Sequence, residues 1–112
     1  DYAKKIIKKV LLEGLPKEVC LNVNIPAVKK SEIKGIKICR QTRGVWQEEF
    51  DQRTDPHGGE YFWLTGSLNN FEPNAEDSDE WALANNFIAI TPVQIDMTAY
   101  AFMDELKKWK YD

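Results

Sequence analysis

The chain has 112 residues, 43% of them hydrophobic and 12% aromatic, with fifteen basic against eighteen acidic side chains for a formal charge of -3. This is enough for one globular domain, and it gives no global attraction to nucleic acid or to acidic lipid headgroups. There is no apolar run of about 18 residues to span a membrane and no charged-apolar-small leader, so a soluble cytoplasmic protein is the expectation.

The chain starts at Asp1 and runs at once into a helical pattern, which reads as a piece of a longer protein. Apolar residues recur at Ala3, Ile6, Ile7, Val10 and Leu11, while Lys4, Lys5, Lys8 and Lys9 take the other face. That spacing predicts an amphipathic helix over Tyr2 to Glu13, stopped by Gly14 and Pro16. Val19, Leu21, Val23 and Ile25 then alternate with Cys20, Asn22 and Asn24, a strand that ends at Pro26. A loop over Ala27 to Lys34 precedes a second strand, about Ile36 to Arg40.

Two β-prone runs, Val45 to Gln52 and Glu60 to Thr65, flank the turn signal Thr54-Asp55-Pro56-His57-Gly58-Gly59 and predict a long hairpin, about 43–66. It holds Trp46, Phe50, Tyr61, Phe62 and Trp63 but also many polar residues, so it reads as a projecting arm with an aromatic stripe. A two-stranded projection with that much apolar surface needs a cover, which makes Trp46, Phe50, Tyr61 and Trp63 the candidate oligomerisation residues.

The stretch 67–80 is rich in Asn, Glu, Asp and Ser and reads as a mobile acidic loop. Phe87-Ile88-Ala89-Ile90 is continuously apolar, as a central strand covered on both faces would be, and Pro92 is expected to close it. Thr98 is placed to cap a terminal helix over about 98–110, whose Phe102, Met103, Leu106 and Trp109 form a stripe in need of a packing surface. No linker divides the chain, so residues 1–112 are expected to form a single unit.

Chemistry-bearing clusters are sparse. His57, the one histidine, lies in a turn with Asp55 two residues before it, a solvated pair rather than an acid-base dyad in a cleft. Glu76, Asp77, Asp79 and Glu80 lack the alternation and turn glycine of a calcium loop. The lysines, Lys29, Lys30, Lys34 and Lys37 included, lack the interleaved aromatics of a nucleic-acid surface. Cys20 and Cys39 sit in apolar segments without CxxC spacing and read as buried thiols. No phosphate loop, dinucleotide fingerprint, nucleophile elbow or HExxH pair is present. The residues therefore assign no catalytic and no metal-binding position to this chain.

Leu21-Asn22-Val23-Asn24-Ile25-Pro26, followed by Ile33-Lys34-Gly35-Ile36, resembles the carboxy-terminal half of the survival protein SurE family, metal-dependent nucleoside monophosphate phosphatases. The resemblance continues through Arg40-Gln41-Thr42-Arg43, the turn Arg53-Thr54-Asp55-Pro56 with Gly58, and the return strand Tyr61-Phe62-Trp63-Leu64. Ser78-Asp79 with Ala82 is similar to that family's Thr-Asp and following Ala, and Ile90-Thr91-Pro92 with Asp96 and Thr98 to its closing strand. Cys39, Gly44 and Asn85-Asn86 depart from the pattern.

The resemblance implies an α/β fold, here an α+β fragment: the carboxy-terminal part of a Rossmann-type fold, with mixed sheet strands flanked by two helices and a protruding hairpin arm. It implies a parent that hydrolyses nucleoside monophosphates with a divalent metal, Mg or Mn, held by an Asp pair and by Ser and Asn in the other half. No Asp-Asp pair occurs here, so the isolated chain is expected to be inactive and to bind no metal itself. It also implies a homo-oligomer, dimer or tetramer, with exchanged elements. A stand-alone interaction module without enzyme activity is the alternative.

Overall fold

The computed structural model describes residues 1–111. In chain order it holds α1 (Tyr2–Glu13), β1 (Val19–Asn24), a 3-10 turn (Lys30–Glu32), β2 (Gly35–Ile38), β3 (Gly44–Thr54), β4 (Glu60–Asn70), α2 (Asp79–Ala84), β5 (Phe87–Gln94) and α3 (Tyr100–Leu106). The strands form a three-stranded sheet of order β1-β5-β2 and a separate two-stranded sheet, β3-β4. This is a mixed α/β architecture, as the resemblance implies. The chain divides into two compact units, residues 1–22 with 92–112 and residues 23–91.

In the second unit β5 is the anchor. It pairs in parallel with β2, from Gly35 opposite Phe87 to Ile38 opposite Ile90, and Cys39 N–H extends the ladder to Ile90 O at 2.9 Å. Ile88 and Ala89 are fully enclosed, matching the unbroken apolar run Phe87 to Ile90. Ala89, Cys39 and Ala82 form the core, with Leu83 and Phe87 packed against it. Burial pushes the Cys39 thiol pKa up, against the opposing pull of the Lys37 charge. Trp81 stacks on Phe87 at 6.4 Å, and the Lys37 ammonium sits 4.4 Å from the Trp81 ring centre while donating to Glu76 O.

β3 and β4 form an eleven-residue antiparallel ladder from Gly44 opposite Asn70 to Thr54 opposite Glu60. The turn closes on Asp55, whose Oδ1 accepts from the backbone N–H of His57 and of Gly59, both at 2.8 Å. Gly58 supplies the positive φ of 85° that the reversal requires. The hairpin runs longer at both ends than its β-prone residues predict, because cross-strand hydrogen bonding carries Gly, Arg, Ser and Asn residues of low strand preference along with it.

Residues 71–78 are not the free acidic loop expected from composition. Glu72 Oε1 accepts from Arg43 N–H at 2.8 Å, Glu72 N–H donates to Asn70 Oδ1, and Ser78 N–H donates to Ala75 O. Composition counts apolar area and misses such fixed polar partners. α2 also falls outside the sequence reading, although Ser78 Oγ caps it by accepting from Trp81 N–H and Asp79 and Glu80 occupy its first turn.

In the first unit, Gly14 ends α1 with its N–H on Val10 O, and Ile95 N–H donates to Glu18 O, joining the close of β5 to the start of β1. β5 runs on through Pro92 to Gln94; proline removes one ladder donor but keeps the extended backbone. Cys20 is exposed rather than buried, because the alternation of β1 puts it on the opposite face from Val19 and Leu21. Thr98 does not cap the terminal helix: Ala99 holds the cap position, and Asp96 braces the turn before it, its Oδ1 accepting from Thr98 N–H at 2.8 Å and its Oδ2 from the Tyr100 hydroxyl. α3 is thus shorter than the expected span, and Trp109 follows it. Among the described residues no helix is long and apolar enough to cross a membrane.

Hydrogen bonds from Thr98 and Tyr100 hold the Asp96 carboxyl down at about 2, below its ordinary 3.8. A depressed carboxyl stabilises above its unfolded pKa and loses that contribution as pH falls through the folded one. Acidification between about pH 4 and pH 2 is therefore expected to loosen the turn before α3, and Asp96→Asn to flatten that response. The Thr98 and Tyr100 resonances in a pH titration by NMR report it; an identical titration in the variant would count against the assignment.

Candidate functional site

Chemistry-bearing side chains of the second unit converge where β2 ends and α2 begins. The backbones meet first: Arg40 N–H donates to Asp77 O at 3.0 Å and Asp79 N–H returns to Arg40 O at 3.1 Å, a parallel bridge between Arg40 and Ser78. On this bridge sits a buried carboxylate. Asp79 is 8% exposed, and its Oδ1 accepts from Thr42 N–H at 2.9 Å, from Thr42 Oγ1 at 2.6 Å and from Glu80 N–H at 2.9 Å. Glu80 N–H also reaches Thr42 Oγ1 at 3.2 Å. Short, charge-assisted bonds of this kind compensate an anion removed from water.

Arg40 forms the outer layer. Its Nε donates to Asp77 Oδ2 at 2.8 Å, while Nη1 donates to Glu72 and, at 3.2 Å, to Gln41 O. The guanidinium holds the Glu72 and Asp77 carboxyls below the usual carboxylate range, and they in turn raise its own affinity for its proton. These links are complete at neutral pH and are lost as acid protonates the two carboxylates. Their exposure to solvent screens them, so the structural weight rests on Asp79.

Beside the Asp79 lock lies a half-open cavity of about 270 Å3. Gln41, Thr42 and Glu80 provide its polar rim, and Trp46 and Leu68, directly opposite each other on β3 and β4, provide its apolar wall. Gly66 makes room for the indole: a Cβ there would come within 2.7 Å of Trp46 Nε1.

The register separates the expected arm residues. Trp46 and Phe50, with Phe62, Leu64 and Leu68, lie on one face of the ladder, and Tyr61 and Trp63, with Val45 and Arg53, on the other. Arg53 sits 5.4 Å from the Trp63 ring centre and pairs with Asp51. All four residues are exposed. In the first unit Phe102, Met103, Leu106 and Trp109 are likewise exposed; Phe102 meets Trp109 edge to face at 6.0 Å, and Met103 and Leu106 line a shallow apolar depression with Tyr111.

His57 remains on the hairpin turn, exposed, with its backbone N–H on Asp55. Among the described residues no group of three or more His, Cys, Asp or Glu side chains is placed to hold a metal ion. The acidic residues nearest to one another are committed elsewhere, Asp79 to Thr42 and α2, and Glu72 and Asp77 to Arg40. This donor set does not fit a divalent cation.

Asp79→Ala leaves the Thr42 hydroxyl and two backbone N–H groups without their acceptor and is expected to destabilise the fold by about 3 kcal/mol. Asp79→Asn, which keeps one acceptor oxygen, should cost less. Urea titration followed by tryptophan fluorescence measures both; a change within about 0.5 kcal/mol for Asp79→Ala would remove Asp79 from this role.

The family model for survival protein SurE matches residues 1–48. The 5'-nucleotidase SurE of Phocaeicola vulgatus is 52% identical over 111 residues, covering 99% of this chain and 42% of that protein. The 5'-nucleotidase SurE of Flavobacterium psychrophilum is 51% identical over 108 residues, 96% of this chain and 42% of that protein. The crystal structure of the SurE protein from Aquifex aeolicus superposes with a TM-score of 0.68 at 37% identity, over 95% of this chain and 42% of that one. The chain thus spans about 42% of the length of the curated relatives it matches, and over nearly all of its own length it is similar in sequence and in fold to part of the SurE proteins.

Proposed function

We propose that this chain is the carboxy-terminal, sheet-completing and oligomer-forming part of a cytoplasmic nucleotidase that hydrolyses nucleoside monophosphates. The observation that carries this reading is the 52% identity to a 5'-nucleotidase along 99% of the chain, over less than half of that relative. A divalent metal, Mg or Mn, would polarise the phosphoryl group in the intact enzyme, held by residues outside this chain. What this chain contributes is scaffold: β5 and β2 extend the sheet, and the Asp79 lock fixes where the hairpin leaves it. Its two thiols, neither of them in a disulfide, suit a reducing compartment.

The arm carries the association. It exposes aromatic residues on both of its faces, so burying Phe50 and Phe62 leaves Tyr61 and Trp63 to a second surface. A hairpin clasped between neighbours satisfies this better than one lying flat on a single partner. The α3 residues Phe102, Met103, Leu106 and Trp109 present a second apolar surface for a partner subunit. A stand-alone oligomeric module would use the same surfaces without the enzyme.

With magnesium or manganese, the 112-residue chain should release no phosphate from nucleoside monophosphates; metal-dependent turnover by the chain alone would overturn this division of labour. Phe50→Ala and Trp63→Ala, on opposite faces, are each expected to weaken self-association by roughly 2 kcal/mol with little loss of fold. Sedimentation velocity against concentration tests this. A strictly monomeric profile for the unaltered chain would refute the arm's role.

A further inference from the structure

The cavity beside Thr42 has groups that the Asp79 lock leaves unused. Its apolar wall is the Trp46 indole, 56% exposed and laid back over Gly66, with Leu68 across the ladder. Glu80 also lines the cavity, and its backbone N–H is tied to both Thr42 and Asp79, which fixes the root of the side chain. Among the described residues the Glu80 carboxylate itself has no hydrogen bond or ion pair, so the acceptor oxygens of this lining residue are free to take donors from a ligand. The volume of about 270 Å3 is just under the roughly 300 Å3 at which pockets for drug-sized molecules begin. A single planar heterocycle matches it.

We propose that this cavity binds a nucleobase, with Trp46 stacking on the ring and Glu80 accepting hydrogen bonds from N–H groups on its edge, and that it favours guanine. The inference rests on the nucleotidase reading for the class of ligand and on the cavity for the choice of base. An ionised carboxylate only accepts. Guanine presents two adjacent N–H donors on its pairing edge and can engage both carboxylate oxygens. Adenine and cytosine present one amino group beside a ring acceptor, and uracil presents one N–H between two carbonyl oxygens that repel the carboxylate. A base stacked on an aromatic side chain and read along its pairing edge is the usual way a protein holds an unpaired base.

Equilibrium dialysis of the 112-residue chain against guanosine, adenosine, cytidine and uridine tests this without any phosphate chemistry. Guanosine should bind at least tenfold more tightly than uridine. Trp46→Ala should weaken every nucleoside by roughly tenfold, Trp46→Phe should retain most of the binding, and Glu80→Gln should narrow the ratio of guanosine to uridine affinity. Phe62→Ala, on the same hairpin face but outside the cavity, should change none of these. Equal affinity for guanosine and uridine, no binding at millimolar concentration, or indifference to Trp46→Ala would overturn the proposal. Base-blind binding beside an active longer enzyme would refute this subsite alone; base-selective binding without hydrolysis would refute the nucleotidase reading alone.

Discussion

The structure of the second unit depends on a single buried oxygen. Asp79 Oδ1 gathers the Thr42 hydroxyl and the backbone N–H groups of Thr42 and Glu80. Those donors come from the segment leaving β2 and from the first turn of α2, so one carboxylate sets the distance between two elements 37 residues apart in sequence. A neutral side chain of similar shape accepts less strongly, and an apolar one would strand the donors. Because Phe71 N–H also returns to Arg43 O, the same junction decides how both hairpin strands depart. Arg40, Glu72 and Asp77 wrap it in a salt-dependent outer layer.

The ladder between β3 and β4 pairs the facing backbone groups of its two strands, keeps both outer edges open and leaves its side chains outside. Pairing Trp46 with Leu68 and Phe50 with Leu64 concentrates apolar groups on one face, whereas Tyr61, Trp63 and Arg53 share the other with Glu49 and Asp51. A one-residue slip would exchange these populations, so the register fixes the character of each face. The Asp55 turn holds that register at the tip and the constriction at Gly66 holds it within the ladder.

Much of the fold was readable from residue order alone. The Lys and Ile spacing of α1, the alternation in β1 and the apolar run at Phe87 to Ile90 are each local patterns with one structural solution. α2 was not read, because its six residues follow an acidic stretch whose composition suggests disorder; the Ser78 cap with Asp79 and Glu80 behind it was the available signal. The hub at Arg40 and Thr42 could not be assembled from the sequence, since its partners lie more than thirty positions away. Family resemblance marked Ser78-Asp79, but only the fold shows that Asp79 turns inward to Thr42. The aromatic arm was legible as a hairpin, and its division into two faces emerged only with the register.

The hairpin bears finally on the order of assembly. β2 and β5 must find each other across almost fifty intervening residues, a slow and entropically costly closure for a parallel pair. A hairpin can zip up on the order of microseconds from its own turn. Once it has, Gly44 lies beside Asn70, and the span to be closed shrinks to about half. Each halving lowers the closure cost by about 0.6 kcal/mol, so the arm acts during folding as a shortcut in the chain.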